Sequence, residues 1–280
     1  MTGDPKGGLG ILAGGGVLPR RIAETARDQG RSVFVIAFEG QTDLSTVDGL
    51  PHAWMRLGAT SKTLQALHAA GCGEVVMAGP MKRPALSSLG LDLRSTAAIA
   101  RAGARVFGDD GLLSVIVEEM ERDGFTVIGV EDVLGGYLAP AGTLTRSAPD
   151  ARALADAGRG IEALTALGRA DIGQAVAVQE GLVLAVEAVE GTDAMIARAG
   201  ALQREAARPV LVKGRKAGQN DRVDRPTIGV GTVDAVAAAG FSGIVIEAGQ
   251  TLIVDRNATV AAADKAGLFV HAMPFDGART

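Results

Sequence analysis

Short apolar runs, each closed by a glycine turn and followed by a helical pattern, recur from residue 9 onward. This alternation constrains the fold more than any other feature of the chain. Residues 9–13 (L-G-I-L-A) are continuously apolar, as a strand buried on both faces must be. Gly14-Gly15-Gly16-Val17-Leu18-Pro19 then opens a helix whose apolar positions Ile22, Ala23 and Ala26 recur at helical spacing, with Gly30 at its end. Residues 32–38 (S-V-F-V-I-A-F) read as a second strand, closed by Glu39-Gly40. Strand, glycine turn, helix and strand in that order begin a Rossmann-like half. A hydrophobic content of 47%, 39 glycines and only 3% aromatics fit an α/β protein packed by Ala, Val, Leu and Ile.

The alternation continues. Residues 61–70 read as a helix capped by Ser61 or Thr60, and 74–78 (E-V-V-M-A) as a strand opening into Gly79-Pro80-Met81-Lys82-Arg83-Pro84. That loop leaves a strand's carboxyl end, where open α/β sheets bind ligands, so Lys82 and Arg83 are read as phosphate contacts or as surface charge. Helices follow over 96–106 and 112–123, the second preceded by Gly108-Asp109-Asp110-Gly111, and a last strand spans 125–130. Glycine and proline then replace the periodic pattern. The predicted division is a Rossmann-like, nucleotide-facing domain over 1–134, a linker over 135–150, and a C-terminal α/β catalytic domain over 151–280. In the second half a helix over 151–167 precedes strands 175–179 and 182–186. The Glu180-Gly181 pair between them reads as a hairpin turn, which makes this sheet mixed. A helix over 194–206, capped by Thr192 or Asp193, leads to a strand at Val210. Beyond it lie helix 233–239, strands 243–248 and 252–254, helix 258–266 and the apolar residues 268–270.

Several function classes are excluded or disfavoured. A net charge of −4 leaves no global basic field for a nucleic acid. Cys72 is the single cysteine, so no internal disulfide forms; it is read as structural, in a reducing compartment. No signal-peptide core and no apolar run near the ~20 residues of a spanning helix is present, which predicts a soluble, cytoplasmic chain. His52, His68 and His271 are too scattered for a zinc site, and neither a G-x-S-x-G elbow nor a Walker A motif occurs.

The candidate chemistry lies in the second half. Residues 213–226 (K-G-R-K-A-G-Q-N-D-R-V-D-R-P) carry Lys213, Arg215, Lys216, Arg222 and Arg225 with the carboxylates Asp221 and Asp224, directly after a buried-strand pattern. Glu187, Glu190 and Asp193 gather where another strand gives way to a helix. If the two strands are neighbours, up to five carboxylates converge. Oxygen ligands without His or Cys suit Mg²⁺, with Mn²⁺ as the alternative ion. Helix capping by Asp193 and ion pairing of Asp224 with Arg222 or Arg225 are the plainer readings of single members. Cations for phosphate oxygens beside carboxylates for a divalent ion describe phosphoryl or nucleotidyl chemistry. The residues alone reach metal-assisted phosphate chemistry between two α/β domains.

Taken jointly, residues 11–19 (I-L-A-G-G-G-V-L-P), 75–79 (V-V-M-A-G), Gly108-Asp109-Asp110, 187–195 (E-A-V-E-G-T-D-A-M) and 219–229 are more specific. In that order the chain resembles, nearly end to end, the LpxI-type UDP-2,3-diacylglucosamine pyrophosphatases of lipid A biosynthesis. The resemblance implies hydrolysis of UDP-2,3-diacylglucosamine to UMP and 2,3-diacylglucosamine 1-phosphate, with water attacking the UMP phosphorus, Mg²⁺ as cofactor, and the substrate held between two domains. Two domains joined by a linker invite hinge closure around a ligand. Within the family pattern Q-D-x-R-x-D-x-P, Asp224 takes the place of the final acid and is expected to serve the metal or the water. Arg222 is expected to hold phosphate. Asn220 stands where the pattern has an acid, and Asp221 is the neighbouring replacement. The resemblance also assigns Glu190 and Asp193 to metal or water, with Thr192 beside them in E-G-T-D. Gly14, Gly15, Gly16, Ala78 and Gly79 would meet nucleotide or sugar phosphate, joined by the cations Lys82, Lys213 and Lys216. Ile99, Leu112, Leu113, Ile116 and Leu138 are acyl-chain candidates that serve equally well as core. The implied location is cytoplasmic and peripheral at the inner face of the inner membrane, with a homo-oligomer left open. Two alternatives are an NAD(P)-dependent oxidoreductase using the glycine turn with Glu39 on a ribose hydroxyl, and a non-enzymatic UDP-sugar-binding module. Pro19, in place of the dinucleotide fingerprint's third glycine, weighs against the oxidoreductase.

Overall fold

The computed structural model describes residues 7–81, 89–103, 111–216, 222–223 and 225–275. The chain divides into two units: one runs to Gly135 and is joined by Arg222 and Val223, and the other holds the remainder from Gly136.

In the first unit, β1 (Gly8–Ala13), β2 (Val33–Phe38), β3 (His52–Met55), β4 (Cys72–Ala78) and β5 (Thr126–Ile128) form one sheet in the order β3-β2-β1-β4-β5. All four pairings are parallel. The alternating pattern requires this, because each helix carries the chain back across the sheet before the next strand starts. The helices are α1 (Leu18–Asp28), α2 (Leu44–Val47), α3 (Thr60–Ala69), α4 (Leu93–Ala102), α5 (Gly111–Arg122) and α6 (Val130–Leu134). Leu12, Ile36, Leu64, Leu67, Val75 and Met120 centre its core, with Leu113, Ile116 and Val223 packed against them. Ile99 and Leu112 pack on a smaller cluster of Ala98, Ala102 and Val115.

Some boundaries differ from the sequence reading. β3, a half-exposed edge strand of four residues, carries too little periodicity to be predicted. The last strand stops at Ile128, because the Asp132 carboxylate accepts from Gly129 N at 2.9 Å and starts α6. Helix α3 is capped neither by Ser61 nor by Thr60. Instead Asp92 accepts from Ser61 N at 2.7 Å with one oxygen and from Ser95 N at 2.7 Å with the other, so one carboxylate serves the starts of α3 and α4. Cys72 is buried and burial pushes its thiol up to about 11, as expected of a structural cysteine.

In the second unit, β6 (Gly142–Thr143), β7 (Ala175–Gln179), β8 (Leu182–Val186), β9 (Val210–Lys213), β11 (Gly243–Glu247) and β13 (Phe269–Met273) form a sheet ordered β6-β13-β11-β9-β7-β8. The three central strands are parallel; β6, β7 and β8 run antiparallel to their neighbours, so the sheet is mixed. β10 (Thr227–Ile228) and β12 (Leu252–Ile253) pair separately. The stretch read as a linker supplies β6, and its Leu138 bridges Leu252. Alternate strand residues sort onto opposite faces. Ala175, Ala177, Leu211, Ile244 and Ile246 meet α8 (Thr192–Ala201), α9 (Val230–Ala238) and α10 (Arg256–Ala266). Val176, Val178, Val210, Val212 and Val245 meet α7 (Ala151–Arg169). The hairpin turn between β7 and β8 consists of Glu180 and Gly181, both at positive φ. The buried Asp156 of α7 accepts from their two amides, at 3.0 and 2.6 Å. Helix α8 ends at Ala201 rather than near 206. The buried amide of Gln179 takes Arg204 N and donates to the carbonyls of Arg204 and Ala207, drawing that backbone out of the helix. No helix among the described residues is long and apolar enough to cross a membrane.

Candidate active site

The first unit offers a backbone site. Strand order reverses direction at β1, so the carboxyl ends of β1 and β4 flank the crevice where such sheets bind ligands. Gly14–Gly16 leave β1 there and Gly79 leaves β4. The two turns touch backbone to backbone: a Cβ on Gly14 would lie 2.5 Å from Gly79 O and 2.6 Å from Pro80 O, and one on Gly79 would overlap Gly15 O. Gly79 and Gly16 also sit at φ +89 and +75, where a side chain is strained. The three glycine amides are already engaged. Gly14 N donates to Ala78 O at 2.8 Å, Gly15 N to Pro80 O at 2.9 Å, and Gly16 N to Asp43 Oδ2 at 2.7 Å. The amides of this turn are therefore satisfied within the unit. The turn supplies room for close approach rather than unused N–H groups. Lys82 lies outside the described residues.

The second unit offers a site of buried charged side chains at the strand ends. Lys213, the last residue of β9, is 6% exposed, and its Nζ donates to Thr192 Oγ1 at 2.7 Å. Thr192, the first residue of α8, donates in turn to Glu187 Oε1 at 2.7 Å, and Glu187 Oε2 accepts from Gln174 N at 3.2 Å. Glu187 is itself buried. Thr192 therefore does not cap its helix; Gly191 occupies that position without a side-chain bond. Lys216 is 2% exposed and pairs with Asp171 at 3.0 Å; Asp171 is held at φ +54. Arg215 N donates to the buried Glu247 carboxylate at 2.9 Å.

The remaining predicted residues have other surroundings. Glu190 is bound by Arg198 on the surface. Its carboxyl sits below the ordinary range through its own backbone N–H and then the Arg198 guanidinium. Asp193 is exposed in the first turn of α8. Arg222 belongs with the first unit, where it donates to Glu121 at 2.6 Å and Val127 O at 3.3 Å. His52 binds Leu50 O, His68 binds Asp123 and His271 binds Thr143. Among the described residues no three His, Cys, Asp or Glu side chains are grouped to hold a metal ion, so Glu190 and Asp193 do not form a cage by themselves. Asp221 and Asp224, and Asn220 with them, lie outside the described residues. The sequence reading missed Asp171, Gln174 and Glu247. Glu247 had one visible signal, a lone acid ending the apolar run G-I-V-I-E.

Comparison with known proteins gives these residues a context. Residues 8–137 match the LpxI N-terminal domain and residues 140–271 the LpxI C-terminal domain. The UDP-2,3-diacylglucosamine pyrophosphatase LpxI of Caulobacter vibrioides is 42% identical over 270 residues, which cover 94% of this chain and 96% of that protein. With both domains matched in order and a relative of this similarity aligned almost end to end, the chain belongs to the LpxI family.

Proposed function

We propose that the chain is a hydrolase that cleaves the pyrophosphate of UDP-2,3-diacylglucosamine to UMP and 2,3-diacylglucosamine 1-phosphate, with water attacking the UMP phosphorus. The observation that carries the reading, beyond family membership, is the Lys213 ammonium. It is buried, and among the described residues it has a single hydroxyl partner and no carboxylate within ion-pair distance. A buried cation with no carboxylate in direct contact is costly to keep charged, and phosphate oxygens would lower that cost by direct contact. Cleaving a pyrophosphate requires such stabilisation, since charge builds on the departing phosphate.

Asp224 is proposed as the acid that serves the water or a divalent ion, on the strength of its place in Q-N-D-R-V-D-R-P. A required Mg²⁺, with Mn²⁺ as substitute, would draw on Asp224 and Asp221. Two acyl chains on the substrate make a bilayer surface the expected place of reaction, with the chain as a peripheral visitor. The decisive experiment is hydrolysis of the purified substrate in ¹⁸O-water. Label in UMP, and loss of turnover on chelation that Mg²⁺ reverses, are the expected results. Label in the lipid phosphate would overturn the direction of attack, and full activity in excess chelator would overturn the metal.

A further inference from the structure

The two hydrogen bonds joining Lys213, Thr192 and Glu187 have only one possible direction. A carboxylate accepts and cannot donate, so the single Thr192 hydroxyl proton goes to Glu187. The hydroxyl lone pair then faces Lys213 Nζ, which uses one of its three N–H donors there. Glu187 is fixed from several sides. Its own N donates to Ala175 O at 2.8 Å, and its second carboxylate oxygen takes Gln174 N. Gly173, at φ +123, lies so close to the Glu187 carbonyl that any Cβ would overlap it. The same loop is tied to the end of β9 by Gly214 N donating to Gln174 O at 3.1 Å.

We propose that Glu187 is a positioning residue for phosphate binding, acting on Lys213 through the Thr192 hydroxyl. Its charge, one hydroxyl removed, offsets the burial of the ammonium. Because the two groups are not in direct contact, the carboxylate does not compete with a phosphate oxygen for the remaining N–H donors. A direct Lys–Glu pair would have occupied them. This inference rests on the proposed pyrophosphatase reading, and it gives Glu187 a role distinct from metal ligation.

The test measures UDP affinity by calorimetry beside steady-state hydrolysis of the lipid substrate, with melting curves as a folding control. Glu187→Gln keeps the shape but has one acceptor oxygen for two donors, and its amide NH₂ can turn the Thr192 proton toward Lys213. UDP should then bind roughly 10-fold more weakly, the tenfold step expected for one lost charge-assisted contact. Thr192→Val should match that loss, and Thr192→Ser, which restores the hydroxyl, should recover wild-type affinity to within about 3-fold. If Glu187 acts through Thr192, adding Glu187→Gln to Thr192→Val changes little further. Wild-type UDP affinity in Glu187→Gln, or losses that multiply in the double variant, would overturn the inference. Should Glu187→Gln fail to fold, the contrast between Thr192→Val and Thr192→Ser still decides, since equal affinities remove the hydroxyl from the route. A wild-type chain that binds UDP without hydrolysing the lipid substrate overturns the pyrophosphatase reading alone, and one that hydrolyses the lipid substrate without binding UDP overturns the inference alone.

Discussion

Both sheets gather candidate groups at the carboxyl ends of their central parallel strands, but from different materials. The first unit uses backbone. Gly14, Gly15 and Gly79 pack without side chains, and the Gly14 and Gly15 amides donate to the carbonyls of Ala78 and Pro80. The second unit uses buried side chains, with Lys213, Lys216, Glu187 and Glu247 all under 8% exposed. A backbone site is shaped by sterics and tolerates almost no added atom. A site of buried charges is held by mutual hydrogen bonds and is vulnerable to any change that leaves one charge unpaired. Substitutions in the two units should therefore fail in different ways, through folding in one and through turnover in the other.

The largest effect should come from the second unit's chemistry. Asp224→Ala is expected to lower kcat by roughly 10²–10⁴-fold, the range for removing a proton-transfer or water-orienting group, while substrate is still bound. Turnover close to wild type would remove Asp224 from the mechanism.

Gly14→Ala tests the other side of the contrast. The added methyl would lie 2.5–2.6 Å from two carbonyl oxygens, so backbone must move. A loss of about 1–3 kcal/mol, as for overpacking, should appear in the melting transition of the first unit. Activity should fall with that stability rather than ahead of it. A variant with an unchanged melting curve but abolished turnover would mean that the turn contacts the reacting groups, and the contrast between the units would break.

The same difference explains what was legible in the sequence. Gly14, Gly15 and Gly79 could be singled out because the absence of a side chain at a strand end is itself a local signal, and the parallel sheet followed from periodicity. That the amides of Gly14, Gly15 and Gly16 are satisfied internally could not be read, since Ala78 O, Pro80 O and Asp43 come from elsewhere in the chain. In the second unit the types of Lys213, Thr192 and Glu187 were visible and their connections were not. Thr192 before a helix predicts a cap, but the buried Glu187 captures its hydroxyl first. Lys216 is as cationic as Arg215 in the sequence, and only the fold pairs it with Asp171, held at a positive φ in another loop. Identity and spacing revealed the chemistry available, whereas partner choice depended on which loops the sheet order brings together.

A smaller effect separates scaffold from site within the second unit. Asp156 holds the β7–β8 turn through the amides of Glu180 and Gly181, well before the chain reaches Glu187. Asp156→Ala leaves the two turn amides without their acceptor and should cost about 1–2 kcal/mol, read as earlier unfolding in urea. The kcat of the protein still folded should stay within a few-fold of wild type. A specific collapse of kcat would mean that the hairpin positions Glu187 finely, and that scaffold and site cannot be separated here.

The smallest effect asks whether the first unit depends on any side-chain charge. Burial tends to raise the Asp92 carboxyl, but the amides and hydroxyls of Ser95 and Ser61 outweigh it and hold the group at about 2, against an ordinary 3.8. A depressed carboxyl stabilises the fold above its unfolded pKa, and that contribution fades as pH falls from about 4 towards 2. Asp92→Asn retains an oxygen for one helix start but lacks the charge and the second acceptor. It should cost about 1 kcal/mol, the usual value of a cap, and the deficit should be constant above pH ~5 and shrink on acidification. Urea midpoints of both proteins across that range measure it. A deficit independent of pH would show that Asp92 serves α3 and α4 by shape alone, which would make the first unit a backbone construction at its helix starts as well as at its glycine turns.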